Sequence, residues 1–208
     1  MKRRLVLIQP LVVRLFHWAI TAGVILLVIT GFYIAWPTGW VPFLNMRTAR
    51  ELHFSTGFIT IFLVLGRFYY AVATGDYHNL LFRLRDFRQV PALLRFTFFL
   101  QDRSPDQEKY NVGQKFLFTS WFIVFVLVAL SGVILYQPDP WEVILPFVGG
   151  LQGMRYFQFT VALFFALTIF LHVYLAAIDD PARLQAIFTG WIRVSSDKPE
   201  GGERTPSK

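Results

Sequence analysis

Four long apolar stretches limit the folds that this sequence can adopt. They run over Leu15–Trp36, Leu52–Thr74, Gly113–Tyr136 and Tyr156–Ile178. Each is long enough for an α-helix to cross the hydrocarbon core of a bilayer, which takes roughly 20 apolar residues. Because unpaired backbone groups are costly in lipid, a segment of this length spans the membrane as a helix. The sequence therefore predicts an all-α membrane protein, built as a bundle of four transmembrane helices.

The composition supports one membrane-embedded unit and excludes several kinds of site. Of the 208 residues, 55% are hydrophobic and 18% are aromatic, as in membrane proteins. The absence of cysteine excludes iron–sulfur clusters, c-type heme attachment, thiolate zinc sites and disulfides. The first apolar stretch is too long for a signal peptide, so we interpret it as a retained anchor. We assign residues 1–194 to the transmembrane domain and expect the polar tail, 195–208, to be disordered.

Lysine and arginine are distributed unevenly between the two sides of the predicted bundle. Most lie before the first span, between the second and third, or after the fourth, whereas Arg47, Arg50 and Arg155 lie opposite. By the positive-inside rule, this is a multi-pass protein of the cytoplasmic membrane with both termini in the cytoplasm. The net charge of +7 is thus explained by membrane lipid, without nucleic acid. Residues 78–101 mix Leu and Phe with Arg, which predicts an amphipathic interfacial segment between helices two and three.

Two histidines are predicted to lie at one depth in the membrane. His172 lies near the cytoplasmic end of the fourth span, and His17 lies near the cytoplasmic start of the first. An ionisable residue inside a span is a candidate for function because burying it in lipid is costly. Two imidazoles at one level can provide both axial ligands of a b-type heme. The alternative is an interfacial His17 and a His172 that only forms an interhelical hydrogen bond.

A third histidine, His53, is predicted near the outer end of the second span. Gln158 precedes His172 by 14 residues, about 21 Å along a helix, and so lies near the depth of His53. Met154 lies one turn earlier. Methionine is an established axial ligand beside histidine, whereas glutamine is a poor one. A second, outer heme would therefore use His53 with an uncertain partner, Met154 or Gln158. Three glycines in the outer halves of the spans would admit a porphyrin or simply allow close packing: Gly31, Gly57 and Gly132.

Four arginines at helix ends are candidates for binding heme propionates: Arg14, Arg50, Arg67 and Arg155. Each could instead extend to the phospholipid headgroups. His78 follows the second span, and we expect it on the cytoplasmic surface.

Six short stretches carry a resemblance to a known family: RLFHW (14–18), TGF (30–32), RELHFSTGF (50–58), YNVGQK (110–115), LSG (130–132) and HVYLA (172–176). From about Pro10 to Trp191 the chain resembles the four-helix cytochrome b subunits of nickel–iron hydrogenases and respiratory formate dehydrogenases. The resemblance implies a subunit that takes electrons from an iron–sulfur subunit and its catalytic subunit. It would pass them through heme b to menaquinone or ubiquinone.

The resemblance also assigns individual residues. His17 and His172 look like ligands of the inner heme and His53 like one ligand of the outer heme. Asn111 and Gly113, with Gln114 beside them, look like quinone-site residues. The amide of an asparagine could donate to a quinone oxygen, and glycine would let the ring approach the backbone. The alternative is an ordinary helix N-cap followed by a glycine.

One position departs from the family pattern. The diheme members carry a histidine at the level of Gln158, and this chain does not. Three outcomes are open for the outer heme: ligation by His53 with Met154 or Gln158, five-coordination on His53, or absence. Absence would force electrons from an external cluster to cross about half the membrane to reach the inner heme, which favours a retained outer heme with altered ligation.

Other functions compatible with the sequence are electron flow in reverse, from quinol to an external reductase, and a passive anchor without cofactors. A transporter would require broken helices or paired charges at the midplane, which are not seen in the sequence. Candidates for a proton route to the quinone are Glu108, Asp179 and Asp180.

Overall fold

The computed structural model describes residues 3–37, 45–101, 109–179 and 181–195. Four of its helices are long and apolar enough to cross a membrane, which confirms the predicted all-α membrane fold. In chain order the elements are β1 (Arg3–Leu7), α1 (Leu11–Ala35), α2 (Met46–Thr74), α3 (Tyr77–Leu80), a 3-10 helix (Leu84–Gln89), α4 (Val90–Thr97), α5 (Val112–Tyr136), two 3-10 turns (Asp139–Trp141 and Leu145–Val148), α6 (Gly150–Asp179), α7 (Pro181–Thr189) and β2 (Trp191–Ser195).

The four spanning helices α1, α2, α5 and α6 begin earlier than the apolar stretches that predicted them. The largest difference is six residues, at the starts of α2 and α6. Hydropathy detects only the part of a helix inside the lipid, whereas polar first turns continue it outside. Asn45 caps α2 by accepting a hydrogen bond from the Thr48 amide at 2.9 Å. Gly75 ends α2 in the left-handed conformation, with φ of 73°.

The spanning helices are arranged around the bundle in the order α1, α2, α5, α6. One contact represents each neighbouring pair: Gly23 packs on Thr60 (α1 and α2), Phe58 lies beside Tyr136 (α2 and α5), the Trp121 indole donates to Thr168 (α5 and α6), and Phe32 lies beside Phe159 (α1 and α6). Large apolar side chains cover the outside of the bundle, as expected for surfaces that face lipid.

We expect Gly23→Ala to destabilise the bundle by about 1–3 kcal/mol, the usual cost of overpacking. A methyl group at Gly23 would collide with the Thr60 hydroxyl, which is fully buried and donates to the Thr56 carbonyl. Gly57→Ala is the matched control, because its nearest neighbour, Leu27 Cδ2, would be at an ordinary 3.9 Å. Thermal unfolding in detergent measures both variants, and equal midpoints would contradict the prediction.

Short elements form a layer across one end of the bundle. The predicted amphipathic segment, residues 78–101, is part of this layer. The Phe82 amide donates to the Thr119 hydroxyl at 2.8 Å, which attaches the chain after α3 to α5. At the same end, α7 packs on α1, where the Trp18 indole donates to the Ile187 carbonyl at 3.3 Å. Helix α7 was not predicted from the sequence. Several apolar side chains of the layer are exposed, as an interfacial position requires: Leu84, Phe98, Phe99 and Leu100.

A two-stranded antiparallel sheet, which the sequence analysis did not predict, adds to the helical fold. Strand β1 pairs with β2, from Leu7 opposite Trp191 to Arg3 opposite Ser195. The sheet brings both ends of the described chain to one side of the bundle, as an even number of spans requires. Of the predicted disordered tail, Ser195 ends β2, and 196–208 lie outside the described residues.

Candidate heme-binding site

His17 of α1 and His172 of α6 lie opposite each other, as their predicted depths require. Their ring centroids are 6.4 Å apart and the ring planes make an angle of 45°. An iron atom bonded at about 2 Å to one nitrogen of each ring would need centroids roughly 6 Å apart. The two imidazoles therefore have the separation of a pair of axial ligands.

The surroundings of the two rings also fit a bound metal. The Nδ1 atoms of His17 and His172 are buried without a hydrogen-bond partner. A buried polar atom without a partner costs about 1–3 kcal/mol, so each ring has bonding capacity that the protein does not use. Aromatic rings surround the pair, with Trp18 5.0 Å from His17, and Trp121 and Phe118 at 5.2 and 5.8 Å from His172.

An apolar cavity of about 130 Å³ lies beside the histidine pair, between α1, α2, α3 and α5. Ile20, one helical turn after His17, lines it, and so does Phe118, which contacts His172. An engineered apolar cavity of about 150 Å³ accommodates benzene, so this cavity can receive part of a flat aromatic molecule. Among the described residues that line the cavity, Arg67 is the one with a charge.

The structure divides the four predicted propionate arginines into two pairs. Arg14 Nε and Arg67 Nη1 are buried without a partner, at the same end of the bundle as His17 and His172. Arg50 and Arg155 are exposed. Only Arg14 and Arg67 therefore offer unused buried donors of the kind that a carboxylate binds strongly.

A comparison with known proteins identifies the family. The family model described as prokaryotic cytochrome b561 matches residues 8–190. The chain belongs to this family. It is accordingly a multi-pass membrane cytochrome that binds b-type heme and transfers electrons. His17 and His172 have the ring separation that two axial ligands of such a heme need.

Individual relatives agree with the resemblance to hydrogenase cytochromes. The cytochrome is 28% identical over 201 residues to a probable Ni/Fe-hydrogenase B-type cytochrome subunit of Cupriavidus necator, covering 86% of this chain and 82% of the relative. A protein of the same name from Azotobacter vinelandii is 23% identical, covering 96% of this chain and 93% of the relative. The relationship to hydrogenase cytochromes is thus confirmed, and the relationship to formate dehydrogenase stays a prediction.

A charge cluster that the sequence analysis missed holds Arg67 in place. Asp76, just after α2, accepts hydrogen bonds from Arg67 at 2.7 Å, Lys109 at 2.9 Å and Asn79 at 3.2 Å. Burial alone would raise the pKa of Asp76, but the hydrogen bonds and the charge of Lys109 outweigh it, so the pKa is lowered. The ionised carboxylate orients Arg67, and a polar cavity of about 230 Å³ lies beside it. The only sequence signal was one acidic residue soon after Arg67.

The predicted quinone residues lie at the start of α5. Asn111 Oδ1 accepts a hydrogen bond from the Gln114 amide at 2.8 Å, and Gln114 Oε1 accepts one from the Asn111 amide at 3.1 Å. This capping box uses the oxygen of each side chain and leaves the amide nitrogens outside it. A methyl group on Gly113 would be 2.8 Å from Leu93 Cδ2. In this structure, therefore, Gly113 permits close packing with α4, and the expected space for a quinone ring above it is filled.

The remaining predicted residues lie apart from the histidine pair. Among the described residues, no hydrogen bond or ring contact joins His53 to Met154 or Gln158. His53 contacts Thr30 of α1, whereas Gln158 contacts α5. His78 is exposed, which confirms a surface position, and its location on the cytoplasmic side stays a prediction. Of the proton-route candidates, Glu108 and Asp180 lie outside the described residues, and Asp179 is the last residue of α6.

Proposed function

We propose that this cytochrome carries electrons between an external oxidoreductase and the membrane quinone pool. The observation that carries the proposal is the pair of imidazoles, His17 and His172, with unused nitrogens and a separation suited to one iron atom. Heme bound there supplies an iron that accepts and releases one electron at a time. The two histidines fix its position near one end of the bundle, while Arg14 and Arg67 provide donors for its propionates.

The partner that fits best is a nickel–iron hydrogenase, with an iron–sulfur subunit between its catalytic subunit and this cytochrome. Two relatives that match most of the chain are named as subunits of such enzymes, which favours hydrogen over formate as the electron source. By the positive-inside rule, the end with His17, His172 and both terminal strands faces the cytoplasm. The iron–sulfur subunit then meets the opposite, outer end. The same arrangement also serves the reverse flow, from quinol to an external reductase.

Menaquinone or ubiquinone is proposed to bind near the start of α5. Asn111 and Gln114 are both buried, and each retains an amide nitrogen outside the capping box. Those N–H groups can donate to a quinone carbonyl oxygen, which accepts. Asn111 lies at the same end of the bundle as His172, one of the proposed heme ligands.

We expect Asn111→Asp to slow reoxidation of the reduced heme by a soluble quinone analogue roughly two- to tenfold. The carboxylate keeps the N-cap oxygen but lacks the N–H donor, and a hydrogen bond of this kind contributes about 0.5–1.5 kcal/mol. Asn45→Asp is the matched control, because Asn45 caps α2 with its side-chain oxygen in the same way. Stopped-flow absorbance of the purified complex measures both rates. Equal rates in the two variants, with normal heme spectra, would contradict a role for Asn111 in quinone binding.

A further inference from the structure

Each of the two polar side chains at the predicted outer heme level is hydrogen-bonded to a neighbouring helix. Thr30 is fully buried and its hydroxyl lies 2.8 Å from His53 Nδ1 and 2.7 Å from the Leu26 carbonyl oxygen. A carbonyl only accepts, so the single hydroxyl hydrogen points to Leu26 and the hydroxyl oxygen accepts from His53 Nδ1–H. A methyl group on Gly31 would be 3.3 Å from His53 Cε1. The His53 ring is thus held against α1.

Gln158 is held in the same way against α5. Its Nε2 atom donates to the Val128 carbonyl and to the Ser131 hydroxyl, both at 3.0 Å, which uses both hydrogens of the amide. Ser131 is buried and donates its own hydrogen to Val128 at 2.9 Å. A methyl group on Gly132 would be 3.3 Å from Nε2, so the glycine allows this close approach. The three groups form one hydrogen-bonded network between α5 and α6.

The inner and outer levels therefore differ in kind. His17 and His172 converge and have unused buried nitrogens, whereas His53 and Gln158 are hydrogen-bonded to different helices. To turn Gln158 towards His53, the protein would have to break two hydrogen bonds and leave buried polar atoms without partners. The oxygen of the Gln158 amide is a hard carbonyl ligand of the kind that suits magnesium or calcium, whereas iron is well suited by imidazole.

We propose that Gln158 links α6 to α5 by hydrogen bonds and therefore does not serve as a second axial ligand at the outer level. This cytochrome then holds one six-coordinate heme, at His17 and His172, and a heme on His53 would receive no sixth ligand from Gln158. The inference rests on the proposed heme site and adds to it the role of Gln158 and Ser131.

The first test counts low-spin hemes in the purified complex, by pyridine hemochrome for total heme and by electron paramagnetic resonance for spin state. We expect one low-spin heme per chain, retained in His53→Ala, whose bound heme itself shows that this variant is folded. Two low-spin hemes per chain, or loss of a low-spin heme in His53→Ala, would overturn the inference alone. A wild-type protein without low-spin heme would instead overturn the proposed function.

The second test supplies the missing imidazole. Gln158→His cannot reproduce the network with Val128 and Ser131, and it places a nitrogen ligand at the level of His53. We expect a second low-spin heme in this variant. Gln152→His makes the same substitution at an exposed position of α6 and should add none. If Gln158→His retains the first heme but gains no second, Gln158 does not control the outer site and the inference is wrong.

Discussion

His172→Ala is expected to remove the low-spin b-type heme from the purified protein. The substitution takes away one of the two imidazoles whose 6.4 Å separation suits a shared iron atom. Loss of a residue that merely supports a ligand lowers metal affinity about 10–100-fold, so loss of the ligand itself should reduce heme content by more than about tenfold. The measurement is heme per polypeptide, with the α-band of the dithionite-reduced protein as a second readout.

The control for this experiment is His78→Ala, because His78 is exposed and follows α2 outside the apolar core. Its heme content should equal that of the wild type. His17→Ala should behave like His172→Ala, since the two rings act as a pair. If His172→Ala kept both the heme content and the reduction potential of the wild type, the assignment of the axial ligands would be wrong.

Asp76→Ala is expected to destabilise the protein by about 3 kcal/mol at neutral pH. It would leave Arg67 and Lys109 largely buried without their shared carboxylate, with 15% and 20% of their side chains exposed. Breaking a buried ion pair by removing one partner costs about 3–5 kcal/mol, and the partial exposure here favours the lower end of that range. Unfolding in detergent measures the loss, and Glu142→Ala, which removes an exposed acid, is the control.

The same variant has a pH dependence of defined sign. The pKa of Asp76 is lowered from its ordinary value of 3.8, so folding favours the ionised carboxylate. The ionised carboxylate of Asp76 contributes its full stabilisation at pH values above the ordinary pKa. The contribution falls as the pH drops through the lower pKa of the folded state. The difference in stability between wild type and Asp76→Ala should therefore shrink under strongly acidic conditions. A difference that stayed constant from neutral to strongly acidic pH would contradict a role for the ionised form.

The features that depend on depth along a helix could be predicted from the sequence. Hydropathy located the four spans, and a rise of about 1.5 Å per residue converts position into depth. This was sufficient to predict that His17 and His172 lie at one depth in the membrane. The N-cap role of Asn111 was also predicted, because asparagine before an apolar helix has a strong local preference for that position.

The features that depend on rotation about a helix axis could not be predicted. These helices are apolar on nearly all sides, so no polar stripe shows which way Gln158 or His53 points. Their directions follow from packing against Ser131 and Thr30, which lie on other helices. For the same reason, Arg14 and Arg67 could not be distinguished from Arg50 and Arg155, because burial depends on distant neighbours.

The β1–β2 sheet escaped prediction for a different reason. Each strand has five residues, and the pairing joins segments at opposite ends of the chain, such as Leu7 and Trp191. Short strands of this kind give little local signal, and their pairing depends on the helices between them.

The placement of the paired imidazoles on the first and last spanning helices has a consequence for biogenesis. During synthesis, α1 with His17 enters the membrane before α6 with His172 has been made. A heme held by both imidazoles can form only after the last helix is inserted, and a prematurely terminated chain would lack the second ligand.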